Sequence, residues 1–454
     1  MGNIINQFKR FLLLAGDIAV LYLALYLTLV LRYGGRWEQS WQTHLYPFTL
    51  IYFSSLLVFY IIGLYDLNVA RNNLSFFITL SKALLISAAL AIALFYFLPI
   101  FGISPKTNLF INLLIFAGLF FIWRQTYNHL IKSPNLLNNI LVLGQNEEVK
   151  ELLNYIKSNP QLGFRVKKIV EPEDVKILYD LIETIIQEKI QIVLTTVDPH
   201  KDRNLVRNLY QCLPLKIIVT EVPNFYEKIT GKIPVSSIEE IWFLENLMTD
   251  QKSLFEGAKR ALDVLISLAL GIVALVLTPF IALLVKMSGP GPVFYRQKRV
   301  GQDSRIFELF KFRTMVADAE KDGAQWAKEK DSRVTWAGKF LRKTRLDELP
   351  QLWNILKGEM SFVGPRPERP EFAFSTELLA QIPFYQIRHS AKPGLTGWAQ
   401  IKYPYGSSVH DTLQKLQYDL YYIKNRSFFL EVAIILKTIK TILSGGGRLD
   451  QIIR

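Results

Sequence analysis

The sequence predicts a membrane protein in three parts. These are an α-helical N-terminal bundle over residues 1–130, a Rossmann-like α/β spacer domain over 131–254, and a basic α/β domain over 255–454 with a re-entrant membrane helix at 260–286. Three observations predict it. Four apolar windows fall within the first 123 residues, β-rich runs begin to alternate with amphipathic ones at Asn138, and a fifth apolar run from Val264 is followed by most of the positive charge.

The four windows are Phe11 to Leu31, Leu45 to Tyr65, Ala83 to Phe101 and Thr107 to Trp123, and Asp17 is the single charge among them. About 17–25 apolar residues cross a bilayer as a helix. Buried core helices would have the same texture, but four such windows in close succession favour transmembrane helices, and a cleaved signal peptide would explain only the first. With alternating helices, Lys9, Arg10, Arg71, Arg124 and Lys132 fall on one side of the membrane and Arg32, Arg36 and Lys106 on the other. The excess of positive charge places both ends of the bundle in the cytoplasm.

From Asn138 the runs 139–144, 149–158, 164–170, 175–189 and 190–195 alternate strand and helix patterns, as in a parallel α/β sheet. The first strand ends in Gly144-Gln145-Asn146-Glu147-Glu148, which lacks two of the three glycines that let a dinucleotide approach the backbone. Glu147 and Glu148 add negative charge where a pyrophosphate would sit. The reading is a spacer domain, also a candidate for homodimer contacts, rather than a cofactor site. Cys212 is the only cysteine, which excludes an intrachain disulfide and a cysteine-held zinc or iron–sulfur site. The five histidines (44, 129, 200, 389 and 410) show no ligand spacing, so any metal is expected on oxygen ligands.

Val264 to Val285 carries no charge, contains Pro279, and follows Lys259-Arg260-Ala261-Leu262-Asp263. A proline inside a helix removes a hydrogen bond and bends the axis. A straight crossing would carry the basic C-terminal domain outside, so Thr278 and Pro279 are expected to turn the segment back. Lys259 and Arg260 are then expected to reach lipid headgroups, with Asp263 one turn on to pair with either. The net charge of +14 divides into +5, −2 and +11 over the three parts. Such a surface suits anionic lipid, a phosphorylated substrate or nucleic acid. No helix-turn-helix, zinc-finger or aromatic RNA-binding signature is present, so nucleic acid is not an expected partner.

The residues suited to chemistry lie in this last part. Phe307 to Met315 partly alternates as a strand and sets Lys311 and Arg313 on one face. In Arg342-Lys343-Thr344-Arg345-Leu346-Asp347-Glu348 three cations precede two adjacent carboxylates, which on a helix diverge by about 100° and can divide attack from metal holding. Gly364-Pro365-Arg366-Pro367 is a rigid turn that aims one arginine. Lys392-Pro393-Gly394-Leu395-Thr396-Gly397-Trp398 is a glycine turn carrying an aromatic.

These motifs together resemble the bacterial polyprenyl-phosphate sugar-1-phosphate transferases, the monotopic phosphoglycosyl transferases. The resemblance covers Lys259 to about Gly447 as a catalytic domain, and the N-terminal helices and α/β spacer are similar to those of the larger members. It implies that Asp347 attacks the β-phosphorus of a UDP-sugar, releases UMP and forms a sugar-phosphate intermediate that undecaprenyl phosphate resolves. It further implies that Glu348 binds Mg²⁺, and that the enzyme works at the cytoplasmic face of the bacterial inner membrane, initiating exopolysaccharide, capsule or O-antigen repeat units. Arg342 and Arg366 are the expected phosphate clamps because guanidinium offers paired donors, with Lys311 and Arg313 in support or on lipid phosphate. An NAD-dependent nucleotide-sugar dehydratase is the nearest rival, but the chain has no Tyr-x-x-x-Lys pair. A non-enzymatic scaffold for polysaccharide assembly leaves Asp347, Glu348 and Arg366 without a purpose.

Overall fold

The computed structural model describes residues 2–69, 72–97, 106–131, 137–170, 181–196, 203–247, 253–319, 321, 331–403 and 408–443. Arg71, Lys132, residues 175–180 of the expected spacer helix, His200 and the end of the catalytic range near Gly447 lie outside the described residues. The chain divides into two compact units, 1–228 and 229–454.

In the first unit, helices α1 (Gly2–Tyr33), α2 (Trp37–Ile62), α3 (Leu74–Phe97) and α4 (Lys106–Leu130) form the apolar bundle. By length and composition the stretches Phe8–Ile62, which holds α1 and α2, Leu74–Phe97 and Thr107–Leu130 are apolar enough to cross a membrane. Phe59 stacks on Phe116 and Phe120 in the bundle core. An ionised group at such depth must be paired. Asp17 meets that demand through Arg124 at 2.6 Å and the Trp123 indole N–H at 3.0 Å. Arg124, which the alternation of helices sets on the cytoplasmic side, is therefore neutralised inside the bundle.

The same unit contains a four-stranded parallel sheet of β1 (Asn138–Leu143), β2 (Phe164–Val170), β3 (Ile190–Thr195) and β4 (Ile218–Glu221), in the order β2-β1-β3-β4. After β1 the chain turns at Gly144 (φ +94°) into α5 (Glu147–Ser158). The Asn146 side chain accepts from Val149 N at 2.8 Å and caps the helix end that faces phosphate in dinucleotide folds.

The second unit is organised on α6 (Ser253–Met287), one continuous helix of 35 residues. Large apolar side chains point outward along it, from Leu254 (88% exposed) through Leu265, Ile272, Leu275 and Phe280 to Met287. Leu254–Met287 is itself long and apolar enough to cross a membrane. Pro279 does not divide the helix into two arms, and Thr278 Oγ1 donates to Ala274 O at 2.7 Å on the turn before it.

The charged residues at the start of α6 turn inward, which corrects the expectation that they reach headgroups. Lys259 is buried, and its Nζ donates to Val363 O (2.9 Å), to Tyr422 Oη (3.1 Å) and to the Glu431 carboxylate. Arg260 donates to Ile355 O (2.5 Å) and Leu356 O (2.6 Å), capping the last turn of the helix that ends at Lys357. Asp263 pairs with neither and accepts from Phe362 N at 3.1 Å. A charged flank on an apolar helix reads the same whether it meets lipid or protein, and here packing against the domain decides.

Downstream, β5 (Phe294–Val300) and β6 (Ile306–Phe312) form an antiparallel hairpin that places Tyr295 opposite Lys311. Helices α7 (Trp336–Thr344) and α8 (Gln351–Lys357) follow, then the short parallel pair β7 (Ser361–Val363) and β8 (Gly394–Thr396). Helices α9 (Val409–Asn425) and α10 (Phe428–Leu443) close the unit. Ile434 and Glu431 bury α10 against the core while Phe428 and Phe429 face outward. Residues 233–243, assigned to the spacer by sequence, pack here instead, with Ile233, Val235, Ile238 and Phe243 against Tyr385, Leu416 and Leu420.

Candidate active site

The end of α6 lies beneath the carboxylate pair: Ile281 and Val285 pack on Phe312 and Leu341, with Leu346 and Leu349 at the edge of the cluster. Thr335 caps α7 by accepting from Gly338 N at 3.0 Å. A β-carbon at Gly338 would collide with Thr314 O, so glycine lets this helix lie against the strand exit. The helix ends at Arg345 in the left-handed region (φ +59°), which is costly for a side chain larger than asparagine and tends to mark functional turns. The next three residues, Leu346–Glu348, form a 3₁₀ turn rather than the expected α-helix, and this separates the two acids.

Asp347 is 8% exposed, and its Oδ1 is buried with no hydrogen-bond partner. Burial, and then the Glu348 carboxylate, push its carboxyl up to about 6, while Lys311, Arg345 and Arg342 pull the other way. Glu348 faces Arg345 at 3.3 Å and Arg366 at 3.5 Å. Arg342 is oriented by its Nε, which donates to Thr314 Oγ1 at 2.9 Å. Lys311 lies over the Tyr295 ring at 4.9 Å. Burial, with Arg299 and Arg342 beside it, brings the Lys311 ammonium down to about 8, against the pull of Asp347.

Arg366 sits on a turn made by two strands in very close approach. Gly364 N donates to Thr396 O (2.9 Å) and Gly394 N to Pro365 O (2.9 Å), and β-carbons at either glycine would strike the opposing backbone. The Arg366 side chain is 43% exposed.

The structure thus gathers Asp347, Glu348, Arg342, Arg366 and Lys311, and it sends Arg313 elsewhere. The Arg313 guanidinium donates to Val285 O (3.1 Å), Gly289 O (2.6 Å) and Pro290 O, holding the C-terminal end of α6. Strand β6 stops at Phe312, so the alternation that put Lys311 and Arg313 on one face does not extend to Arg313. Trp398 is a core residue, stacked on Tyr421 and donating to Gly231 O at 2.9 Å. Arg299, Arg345 and Arg388 were not assigned roles by sequence. The i, i+2 spacing of Gln297 and Arg299 with Tyr295 was the available signal for the first.

Residues 254–445 match the family model described as bacterial sugar transferase. Over 347 residues the chain is 33% identical to the UDP-glucose:undecaprenyl-phosphate glucose-1-phosphate transferase of Xanthomonas campestris pv. campestris, covering 70% of this chain and 69% of that one. The chain belongs to the bacterial sugar transferases. This sugar transferase is also 28% identical over 462 residues to the protein of the same description from Klebsiella pneumoniae, covering 96% of this chain and 95% of the relative. It is 41% identical over 245 residues to the UDP-N-acetylgalactosamine-undecaprenyl-phosphate N-acetylgalactosaminephosphotransferase of Aeromonas hydrophila, 53% of this chain and 56% of that relative's length. The relatives are named for different sugars.

Proposed function

We propose that this sugar transferase moves a sugar-1-phosphate from a UDP-sugar to undecaprenyl phosphate through a covalent intermediate on Asp347, the initiating step of a bacterial glycan. The observation that carries the reading is the buried, unpartnered Asp347 Oδ1 set among Lys311, Arg342 and Arg345. An ionised carboxylate needs no base to become a nucleophile. Its oxygen attacks the β-phosphorus, the bond to the bridging oxygen breaks, and UMP leaves with that electron pair. A phosphate oxygen of undecaprenyl phosphate then attacks the same phosphorus and returns the Asp347 carboxylate. Arg342, Lys311 and Arg366 hold the non-bridging oxygens, where preorganised cations lower the barrier.

Mg²⁺ fits the donors present. Asp347 and Glu348 are adjacent, and no cluster of three metal-ligating side chains occurs among the described residues, so phosphate oxygens and water would complete the shell, as Mg²⁺ prefers. Held by Glu348, the ion supplies charge neutralisation of the diphosphate when bound.

The outward apolar side chains of α6 suit a lipid surface, and the basic charge of the second unit supports a path that re-enters the face it came from, which asks of α6 a bend at Pro279 beyond the continuous helix it forms here. That path keeps the basic unit on the cytoplasmic side of the inner membrane, where nucleotide sugars are made.

The test is UMP release from UDP-glucose, UDP-galactose and the two UDP-N-acetylhexosamines, with Mg²⁺, with and without undecaprenyl phosphate. One donor is expected to support lipid-dependent turnover, and Glu348→Gln to raise the Mg²⁺ concentration required. Folded protein that releases UMP from none of them would sink the reading for these donors and favour a scaffold.

The pH profile of kcat/KM is a second expected result. Turnover needs Asp347 ionised and Lys311 charged, so the rate falls tenfold per pH unit below about 6 and again above about 8. Lys311→Arg is expected to remove the alkaline limb and leave the acid limb in place. An alkaline limb unchanged in that variant would remove Lys311 from the clamp.

A further inference from the structure

The turn that carries Arg366 is held by groups the mechanism above does not use. Pro365 and Pro367 fix φ on either side of the arginine. What stays soft is the orientation of the peptide planes, and each carbonyl from 365 to 368 accepts a hydrogen bond. Pro365 O accepts from Gly394 N (2.9 Å), Arg366 O from Arg388 Nη2 (3.2 Å), Pro367 O from Arg299 Nη1 (3.0 Å) and Glu368 O from Val300 N (2.9 Å). The Arg366 carbonyl, which orients the plane directly after the arginine, and the Pro367 carbonyl, which orients the next one, take side-chain guanidiniums.

Both guanidiniums are themselves built in. Arg388 is 4% exposed, pairs with Asp419 at 2.8 Å and Glu368 at 3.7 Å, and donates to Tyr385 Oη at 2.7 Å. Arg299 donates to Gln297 Oε1 at 2.7 Å. Burying an ion pair is a poor way to gain stability, since apolar side chains of similar volume often do as well or better. A role in geometry accounts for what packing does not: a buried and a half-buried cation from separate parts of the chain converge on consecutive carbonyls of one turn. We infer that Arg388 and Arg299 are positioning residues that fix the aim of the Arg366 guanidinium at the donor diphosphate, an inference that rests on the role assigned to Arg366 above.

A double-mutant cycle tests it in the full-length protein, reading kcat/KM for the preferred UDP-sugar together with thermal melting. Displacing a catalytic group by about 1 Å costs up to ~100-fold in rate, so Arg388→Lys is expected to lose roughly 10- to 100-fold in kcat/KM. Arg366→Ala is expected to lose at least as much, and the double variant no more than Arg366→Ala. Losses that multiply would overturn the positioning role and leave the diphosphate reading standing, as would an Arg388→Lys protein with a lower Tm and unchanged kcat/KM. An Arg366→Ala protein at wild-type kcat/KM would overturn both. If Arg388→Lys does not fold, Arg299→Lys takes its place in the same cycle with the same expected coupling.

Discussion

Asp347→Asn is expected to abolish UMP release and, at pH 7.5, to raise the melting temperature of the protein. The two effects have one cause. Burial holds the Asp347 carboxyl at about 6 against an ordinary 3.8, so the folded state binds this proton more tightly than the unfolded state does. Stability from such a group is complete below the unfolded value and is lost as pH rises through the folded one. At neutral pH the ionised carboxylate therefore weakens the fold by roughly 3 kcal/mol, which the neutral amide relieves. Turnover should fall by at least ~10³-fold, because the amide oxygen cannot form and release the acyl phosphate. The stability gain should shrink as pH falls below about 6 and vanish below the unfolded value of 3.8, where Asp347 is protonated in both states. A variant that keeps UMP release would end the nucleophile assignment. A variant that is inactive but no more stable than wild type at pH 7.5 would mean that the carboxylate is not held in an unfavourable setting.

Much of this arrangement is legible in the sequence, because residue type and local period determine it. The apolar windows mark α1 to α4, the strand–helix alternation marks the parallel sheet, and the adjacent acids and the proline-flanked arginine mark the site. Tertiary choices are what the sequence conceals. Asp17 looks like an isolated defect in an apolar window until Arg124, 107 residues away, is seen to pair with it. Lys311 and Arg313 look equivalent at a spacing of two, yet the strand ends between them, so one joins the carboxylates and the other holds carbonyls at the end of α6. Arg388 has no local pattern at all. Its role depends on Asp419, on α9, and on the Arg366 carbonyl, which come together only in the fold.

The Lys259–Glu431 pair shows how much rests on one such tertiary choice. It links the start of α6 to the core, and through Val363 O it reaches the residue just before the Gly364–Pro367 turn. Tyr422 completes the cluster, donating to Glu431 Oε1 at 2.7 Å. Lys259→Met removes the cation and leaves a buried carboxylate, whose pKa burial already raises, with Tyr422 alone. Breaking one side of a buried pair costs about 3–5 kcal/mol, whereas replacing both sides with apolar residues is often neutral. The single variant is thus expected to melt well below wild type in detergent, and Lys259→Met/Glu431→Leu to recover most of the loss. Recovery of melting without recovery of turnover would show that the donor at Val363 O serves the arginine turn beyond its contribution to stability. A single variant as stable as wild type would instead place Lys259 at the lipid surface, where the sequence first suggested it.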